Sequence, residues 1–269
     1  MEELRTPYFL VDENRLRRNL NILRDVSVRS GAKILLAQKA FSMFDCYPLL
    51  RRYLSGTTAS GLYEAKLGRE YFSGETHVYS PAFREEEFAE LLEVADHFVF
   101  NSPRQVEKYA RRARAAGKQV GLRVNPMCST QEGHAIYDPC APGSRLGTTL
   151  ENFDPEQLPL LDGLHFHTLC EQNADALAVT LEAFEAQFGG YLKGLQWLNL
   201  GGGHHITRED YDRELLISLV IGLRERYGVQ VYLEPGEAVV LNAGYLVCSV
   251  LETLRNGMDI AILDTSAAC

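Results

Sequence analysis

Lys33-Ile34-Leu35-Leu36-Ala37-Gln38-Lys39-Ala40 is the stretch whose reading decides the fold. Four apolar residues follow Lys33 before the polar Gln38, and Ser30-Gly31 stand ahead of the run. An apolar run of this length after a turn signal reads as a strand buried on both faces, the pattern of a parallel sheet. Lys39 at its downstream end is the unusual residue. An ammonium group is rarely buried without a partner, and a buried lysine shifts toward its neutral form. Neutral lysine is a nucleophile for carbonyl carbon, which is the requirement for a Schiff base. The competing reading is a lysine that lays its methylenes along the strand end and keeps its charge in water. The stretch taken alone favours that second reading, and the rest of the chain reverses the preference.

Working outward, residues 6–12 read as a short strand ended by a helix cap, and 13–30 as a helix with Leu16, Leu20 and Leu23 on one face. Downstream of the Lys33 strand, a helix is expected over about 45–54, with Pro48 confined to its first turn or delaying its start. Strands then alternate with helices. Strands are expected at 57–60, 77–80, 97–100, 120–125, 163–168, 197–200 and 229–233. Helices are expected at 63–72, 85–94, from Asn101 or Ser102 to 116, at 175–188 and at 208–227, with a long polar stretch over 126–149. Counted from Lys33 there are eight strands in about 200 residues, which in size and order match a TIM (β/α)8 barrel. An open doubly wound sheet is the rival, but the first strand-to-helix turn lacks G-x-G-x-x-G. Residues 238–251 and 258–268 read as further strands around the turn Arg255-Asn256-Gly257, and two strands cannot bury their own faces. The fold class is therefore α/β, a TIM barrel over 12–237. Residues 1–11 and 238–269 are expected to form part of a second, β-rich domain whose remainder is missing.

Composition narrows the function classes. The chain has 269 residues, 46% hydrophobic and 23% charged, with a formal net charge of −9. No basic run or basic–aromatic stripe is present, which argues against nucleic acid, and an acidic surface draws cationic ligands. The six cysteines are scattered without a C-x-x-C pair, so reduced thiols and a cytoplasmic location are expected rather than disulfides or zinc. The N-terminus, Met1-Glu2-Glu3-Leu4-Arg5, has no apolar signal segment, and no apolar run reaches membrane-spanning length.

A TIM barrel carries its chemistry at the C-terminal ends of its strands. Those ends hold Lys39, Ser60, Ser80, Asn101, Asn125, His167, Gly201-Gly202-Gly203 and Glu234. The three glycines leave backbone N–H groups open to an anion, and they precede a helix with Thr207 as its expected N-cap. A tight turn that needs glycine dihedrals would look the same. Glu234 ends a largely apolar strand, where a carboxylate needs a cationic partner: the protonated nitrogen of a bound ring, or an arginine such as Arg145. His165 and His167 alternate on one strand face, with His204 and His205 after the seventh strand. Zinc is tempting, but no further ligands have its spacing, so no metal is expected. A nucleophilic lysine, an anion cradle, a flat-ring platform and a carboxylate for a ring nitrogen together follow the binding logic of pyridoxal 5'-phosphate, PLP.

Long motifs carry a resemblance across essentially the whole chain. They are the Lys33-to-Phe41 stretch, Gly56-Thr57-Thr58-Ala59-Ser60, His77-Val78-Tyr79-Ser80-Pro81 and the polar loop Asp138 to Gly147. Gly163-Leu164-His165-Phe166-His167-Thr168-Leu169-Cys170-Glu171-Gln172, Trp197 to Thr207, and Leu233-Glu234-Pro235-Gly236-Glu237-Ala238 are the strongest. The chain resembles the PLP-dependent decarboxylases of the alanine racemase and ornithine decarboxylase fold group, and within it the carboxynorspermidine/carboxyspermidine decarboxylases. The resemblance implies that Lys39 is the PLP lysine and that His167 stacks on the pyridine ring. It implies that Gly201, Gly202, Gly203 and Gly236 hold the phosphate and that Glu234 pairs with the ring nitrogen. Glu237 stands where ornithine-type enzymes have arginine, and is implied to contact a cationic carboxy-polyamine substrate. The implied reaction is loss of the α-carboxylate to give norspermidine or spermidine, by a homodimer.

In the family the β-domain continues for about another hundred residues. It brings a substrate-binding aspartate and a cysteine-bearing loop that completes the partner subunit's site. The 269-residue chain alone is therefore expected to bind PLP weakly or not at all and to turn over little substrate. The rival readings are a diaminopimelate- or ornithine-type decarboxylase, a PLP-binding barrel without catalysis, and a plain barrel binding module in which Lys39 is structural. Glu237 in place of arginine argues against the first, and the strands after Ala238 against the second.

Overall fold

The computed structural model describes residues 4–132 and 138–266. After β1 (Tyr8–Val11), Asp12 caps α1 (Glu13–Ser30), its carboxylate accepting the N–H groups of Asn14 and Arg15. Gly31, at φ 73°, closes the helix. Leu16, Leu20, Leu23 and Val26 recur at helical spacing and are fully buried.

Eight parallel strands then close into a barrel. They are β2 (Lys33–Ala37), β3 (Gly56–Ala59), β4 (Glu75–Tyr79), β5 (His97–Phe100), β6 (Gln119–Arg123), β7 (Gly163–His165), β8 (Trp197–Asn199) and β9 (Gln230–Leu233). Closure is the pairing of β2 with both β3 and β9. Around the barrel lie α2 (Tyr47–Leu50), α3 (Leu62–Leu67), α4 (Glu85–Val94), α5 (Pro103–Ala115), α6 (Ala174–Phe188) and α7 (Arg213–Tyr227). Among the described residues between β6 and β7, the helical segments are short 3-10 turns at Leu150–Asn152 and Pro155–Leu160.

The deciding stretch is buried on both faces. Ile34 and Leu36 belong to the main core, whereas Leu35 joins Val99, Trp197 and Tyr232 in a separate cluster. That alternation is the strand period of two. Trp197 fits because Gly121 and Gly163 lack side chains: a Cβ on either would lie 2.1 Å from the indole.

Several expected boundaries move. The strands end earlier than the apolar runs suggest, β2 at Ala37 and β7 at His165, so Lys39 and His167 sit on loops. The expected helix over 45–54 is a 3-10 turn followed by the single turn α2, with Pro48 in its first positions. Helix α7 begins at Arg213 under an Asp212 cap, not at Thr207, whose hydroxyl donates to the Ala238 carbonyl instead. The expected strand from 238 begins as the helical turn α8 (Glu237–Val240), because the chain must pass back beneath α1. It is followed by β10 (Gly244–Val247), which pairs antiparallel with β1. Strands β11 (Val250–Asn256) and β12 (Met258–Leu263) form a hairpin around Gly257, at φ 73°. Parts of three expectations lie outside the described residues: Met1 to Glu3 of the N-terminus, 133–137 of the polar stretch, and 267–268 of the last strand together with Cys269. Among the described residues no helix is long and apolar enough to cross a membrane.

Candidate active site

The C-terminal ends of the barrel strands enclose a cavity of about 290 Å³ that Lys39, His167, Gly202, Glu234, Gly236 and Glu237 help to line. A smaller space of about 50 Å³ adjoins it, between Ser60, Tyr79, His165 and Glu234. This is the mouth at which barrel chemistry is expected.

Lys39 reaches the cavity from a turn, not from the strand. The Ala40 N–H donates to the Ala37 carbonyl at 3.1 Å. Gln38 is buried beneath, its amide donating to the Glu64 carbonyl at 2.7 Å and accepting the Tyr47 hydroxyl at 3.0 Å. Anchoring Gln38 inward turns the next side chain outward to the cavity. The expectation of a buried lysine is thereby corrected: Lys39 is exposed to the cavity and its opening.

Glu234 follows β9 and is 7% exposed. Its Oε1 accepts the Asn199 amide at 2.8 Å, and its Oε2 lies 3.4 Å from Nε2 of His165. Burial pushes the carboxyl up, but the bonds from His165 and Asn199 outweigh it and hold Glu234 well below the usual carboxylate range. Burial also lowers the His165 imidazole. A neutral His165 therefore donates Nε2–H to an ionised Glu234. The arginine partner considered from the sequence is not found: among the described residues Glu234 pairs with no arginine.

The His167 ring is held by Nε2, 3.0 Å from the Leu169 carbonyl. Burial, then the charges of Arg123 and Lys39, lower it well below the ordinary imidazole value, so the ring is neutral. Gly202 passes beside it; a Cβ there would come within 3.2 Å of the ring and 2.7 Å of the Glu234 carbonyl. Gly201 and Gly203 have φ of 68° and 81°, and a Cβ on Gly203 would lie 2.1 Å from the Leu169 carbonyl. Dihedral demand and close approach therefore both apply here. The N–H groups of Gly203 and Gly236 have no hydrogen-bond partner among the described residues. Helix α7 starts too far downstream to lend its N-terminus to this stretch.

Sequence reasoning missed two contributors. Arg123 ends β6 and is 4% exposed, with no carboxylate partner among the described residues. It donates to the His167 carbonyl at 3.2 Å and lies 4.7 Å from the Tyr79 ring centre. The signal was present: a charge at the end of an apolar strand, the test that picked out Lys39 and Glu234. Glu171 adopts φ 55° at the cavity wall and brings its carboxylate to within 4.8 Å of ligand atoms of His205 and Glu237. His205 Nε2 is 3.3 Å from the Glu237 carboxylate but out of line for a hydrogen bond.

Other strand-end residues serve the frame. Asn101 accepts from the Tyr79 hydroxyl and the Gly147 N–H, both at 2.7 Å. Asn125 bonds the Leu146 carbonyl at 3.2 Å, and the Ser80 hydroxyl bonds the Ala82 carbonyl at 2.9 Å. The four histidines weighed as zinc ligands point apart, His165 to Glu234, His167 to Leu169, His204 to the Leu200 carbonyl at 3.3 Å and His205 to Glu237. The residues present do fit PLP. Unpartnered glycine N–H groups and an unpaired buried guanidinium suit its anionic oxygens, an ionised carboxylate suits a protonated ring nitrogen, and a lysine stands at the rim.

Comparison with known proteins places this geometry. The chain is 44% identical over 266 residues to a carboxynorspermidine/carboxyspermidine decarboxylase of Campylobacter jejuni, spanning 99% of this chain and 69% of that protein. It is 39% identical over 266 residues to the enzyme of the same name from Herminiimonas arsenicoxydans, spanning 97% of this chain and 71% of that protein. The crystal structure of the C. jejuni carboxynorspermidine decarboxylase complexed with norspermidine superposes with a TM-score of 0.88 at 43% identity, covering 98% of this chain and 68% of that one. No family model matches the chain.

Proposed function

The chain belongs to the carboxynorspermidine/carboxyspermidine decarboxylase family of PLP-dependent carboxy-lyases, and we propose that its cavity removes the α-carboxylate of a carboxy-polyamine to give norspermidine or spermidine. When bound, PLP supplies an electron sink for the charge left behind as carbon dioxide departs. The remaining work falls to the chain's own groups. Lys39 would hold the cofactor through its carbonyl carbon. Glu234, fixed by Asn199 and His165, keeps a ring nitrogen protonated. His167, neutral and anchored to Leu169, presents its flat face. Gly203 and Gly236, whose N–H groups have no partner among the described residues, would hold the phosphate, and Arg123 would receive a further anionic oxygen. The other two expected glycines are committed within the chain, the Gly201 N–H donating to Asn199 Oδ1 at 2.8 Å and the Gly202 N–H to His167 Nδ1 at 3.4 Å.

The observation that carries the substrate class is at the rim. Glu237 and Glu171 bring two carboxylates together around His205, and no lysine or arginine pairs with either carboxylate among the described residues. Two carboxylates so close repel each other until a cation enters, and an ammonium group of a polyamine is such a cation. A plain amino acid substrate would leave them unpaired. The same reading takes 12–237 as the PLP-binding barrel. It assigns 1–11 and 238–269 to a β-rich domain, which the β1–β10 pairing supports. A cytoplasmic homodimer completes it.

The test is carbon dioxide release by the PLP-loaded protein from carboxynorspermidine, diaminopimelate and ornithine at equal concentrations. The carboxy-polyamine should be decarboxylated fastest. A preference for either of the other two would overturn the assignment.

A further inference from the structure

At the opposite mouth of the barrel, where the strands begin, Glu75 and His77 of β4 meet His97 of β5. The register sets His77 directly beside His97, and their rings stack with centroids 3.9 Å apart and planes within 10°. His77 is 1% and His97 8% exposed, and Nδ1 of each has no hydrogen-bond partner among the described residues. Glu75 divides its carboxylate: Oε1 takes the Lys33 ammonium, and Oε2 lies 3.1 Å from Nε2 of His77. One ligand atom from each of the three residues lies within 4.8 Å of the other two. Decarboxylation at the Lys39 cavity uses none of them.

A neutral imidazole keeps its proton on one nitrogen and offers the lone pair of the other. Two such rings and a carboxylate form the donor set that holds zinc with a fourth position open to water. Imidazole donors suit zinc, cobalt and nickel, whereas calcium and magnesium prefer all-oxygen sites. We propose that Glu75, His77 and His97 bind one divalent transition-metal ion of the zinc class at the N-terminal mouth of the barrel. A metal lies in the plane of each imidazole it binds, so His77 and His97 must turn out of their stack, and ligand atoms now up to 4.8 Å apart must close to about 2 Å from the ion. The ion ties β4 to β5 and stabilises the folded barrel by mass action. Lys33 stays on the other oxygen of Glu75, which limits affinity and makes the site a fastener rather than a second catalytic centre.

Cobalt(II) is the probe, added to the chelator-treated full chain. One equivalent should give visible absorbance of tetrahedral intensity, without thiolate charge-transfer bands, and zinc should displace it. The signal should vanish in His97→Phe, which keeps a stacked ring but no ligand nitrogen, and in Glu75→Gln. It should persist in His205→Ala, which dismantles the other cluster of Glu171, His205 and Glu237. Excess zinc should raise Tm by about 5 °C in the unaltered chain. The unaltered chain and His205→Ala decide the matter even if a bottom-mouth variant fails to fold. Absence of a cobalt spectrum, thiolate bands, or a spectrum lost in His205→Ala would each overturn the proposal.

Discussion

Glu237 and His204 are neighbours in the same end of the barrel but act on different quantities. Glu237 is half exposed at the cavity rim, and among the described residues its carboxylate pairs only with His205, 3.3 Å away and out of line for a hydrogen bond. Glu237→Gln should therefore leave Tm within a degree or so and raise KM for a carboxy-polyamine about tenfold, the effect of roughly 1.4 kcal/mol of lost charge pairing. Steady-state kinetics on both proteins check this; an unchanged KM would remove Glu237 from the substrate site. His204 is 1% exposed, and burial pushes its imidazole down to about 4 from an ordinary 6.5. The unfolded chain binds that proton more readily than the folded one. The stabilisation is thus fully present above about pH 6.5 and is lost as pH falls toward 4. Between pH 7 and pH 5 the loss should be on the order of 2 kcal/mol, and a His204→Leu variant should lack that part of the slope in urea unfolding. A variant with the same pH slope as the parent would refute the buried-neutral assignment. At this scale the sequence pointed to Lys39, His167 and Glu234 because charge or imidazole at the end of an apolar run is visible in one dimension, and to Glu237 only through the resemblance; all four line the cavity. It hid Glu171, because a loop residue at positive φ has no periodicity to break.

The glycine loop after β8 is where element geometry governs. Gly203, at φ 81°, has the Leu169 carbonyl 2.1 Å from where a Cβ would stand, whereas Gly117, at φ 73°, has open space around it. Gly117→Ala should cost only the left-handed dihedral, about 1 kcal/mol. Gly203→Ala must also move backbone, and should cost about 2–4 kcal/mol together with measurable loss of PLP affinity. Equal Tm shifts for the two variants would contradict the close approach. The elements themselves were legible from their periods, and α1 and α4 were bounded to the residue because Asp12 and Gly31 punctuate the first and an acidic first turn opens the second. The start of α7 was not legible. Thr207 has a cap's chemistry, but tertiary contact with the Ala238 carbonyl claims its hydroxyl, and Asp212 takes the role five residues later.

For the molecule as a whole, stability resides in the barrel. Phe98 is fully buried between strands and helices, while Ile262 in the β11–β12 hairpin is 42% exposed. Phe98→Ala should cost about 3–5 kcal/mol, and Ile262→Lys should fall within about 0.5 kcal/mol of the parent. A large loss from Ile262→Lys would show that the hairpin is packed in solution against something the barrel depends on. The eightfold alternation of strand and helix made the closed barrel readable, since each short apolar run needs cover on both faces. Residues 1–11 and 238–269 were expected in one β-rich domain, but the partner and register of β10 on β1 were not readable. Strands at the two ends of a chain share no local signal, and only the closed barrel brings them together.

The measurement that bears most directly on the account is a PLP titration followed by visible absorbance, run on the unaltered chain and on Lys39→Ala. The residues assigned to the cofactor all lie on the barrel, so a saturable visible band should develop in the parent at sufficient PLP, and none in Lys39→Ala. A parent without such a band, or a band of equal size in both proteins, would contradict the central claim that Lys39 anchors PLP in this cavity.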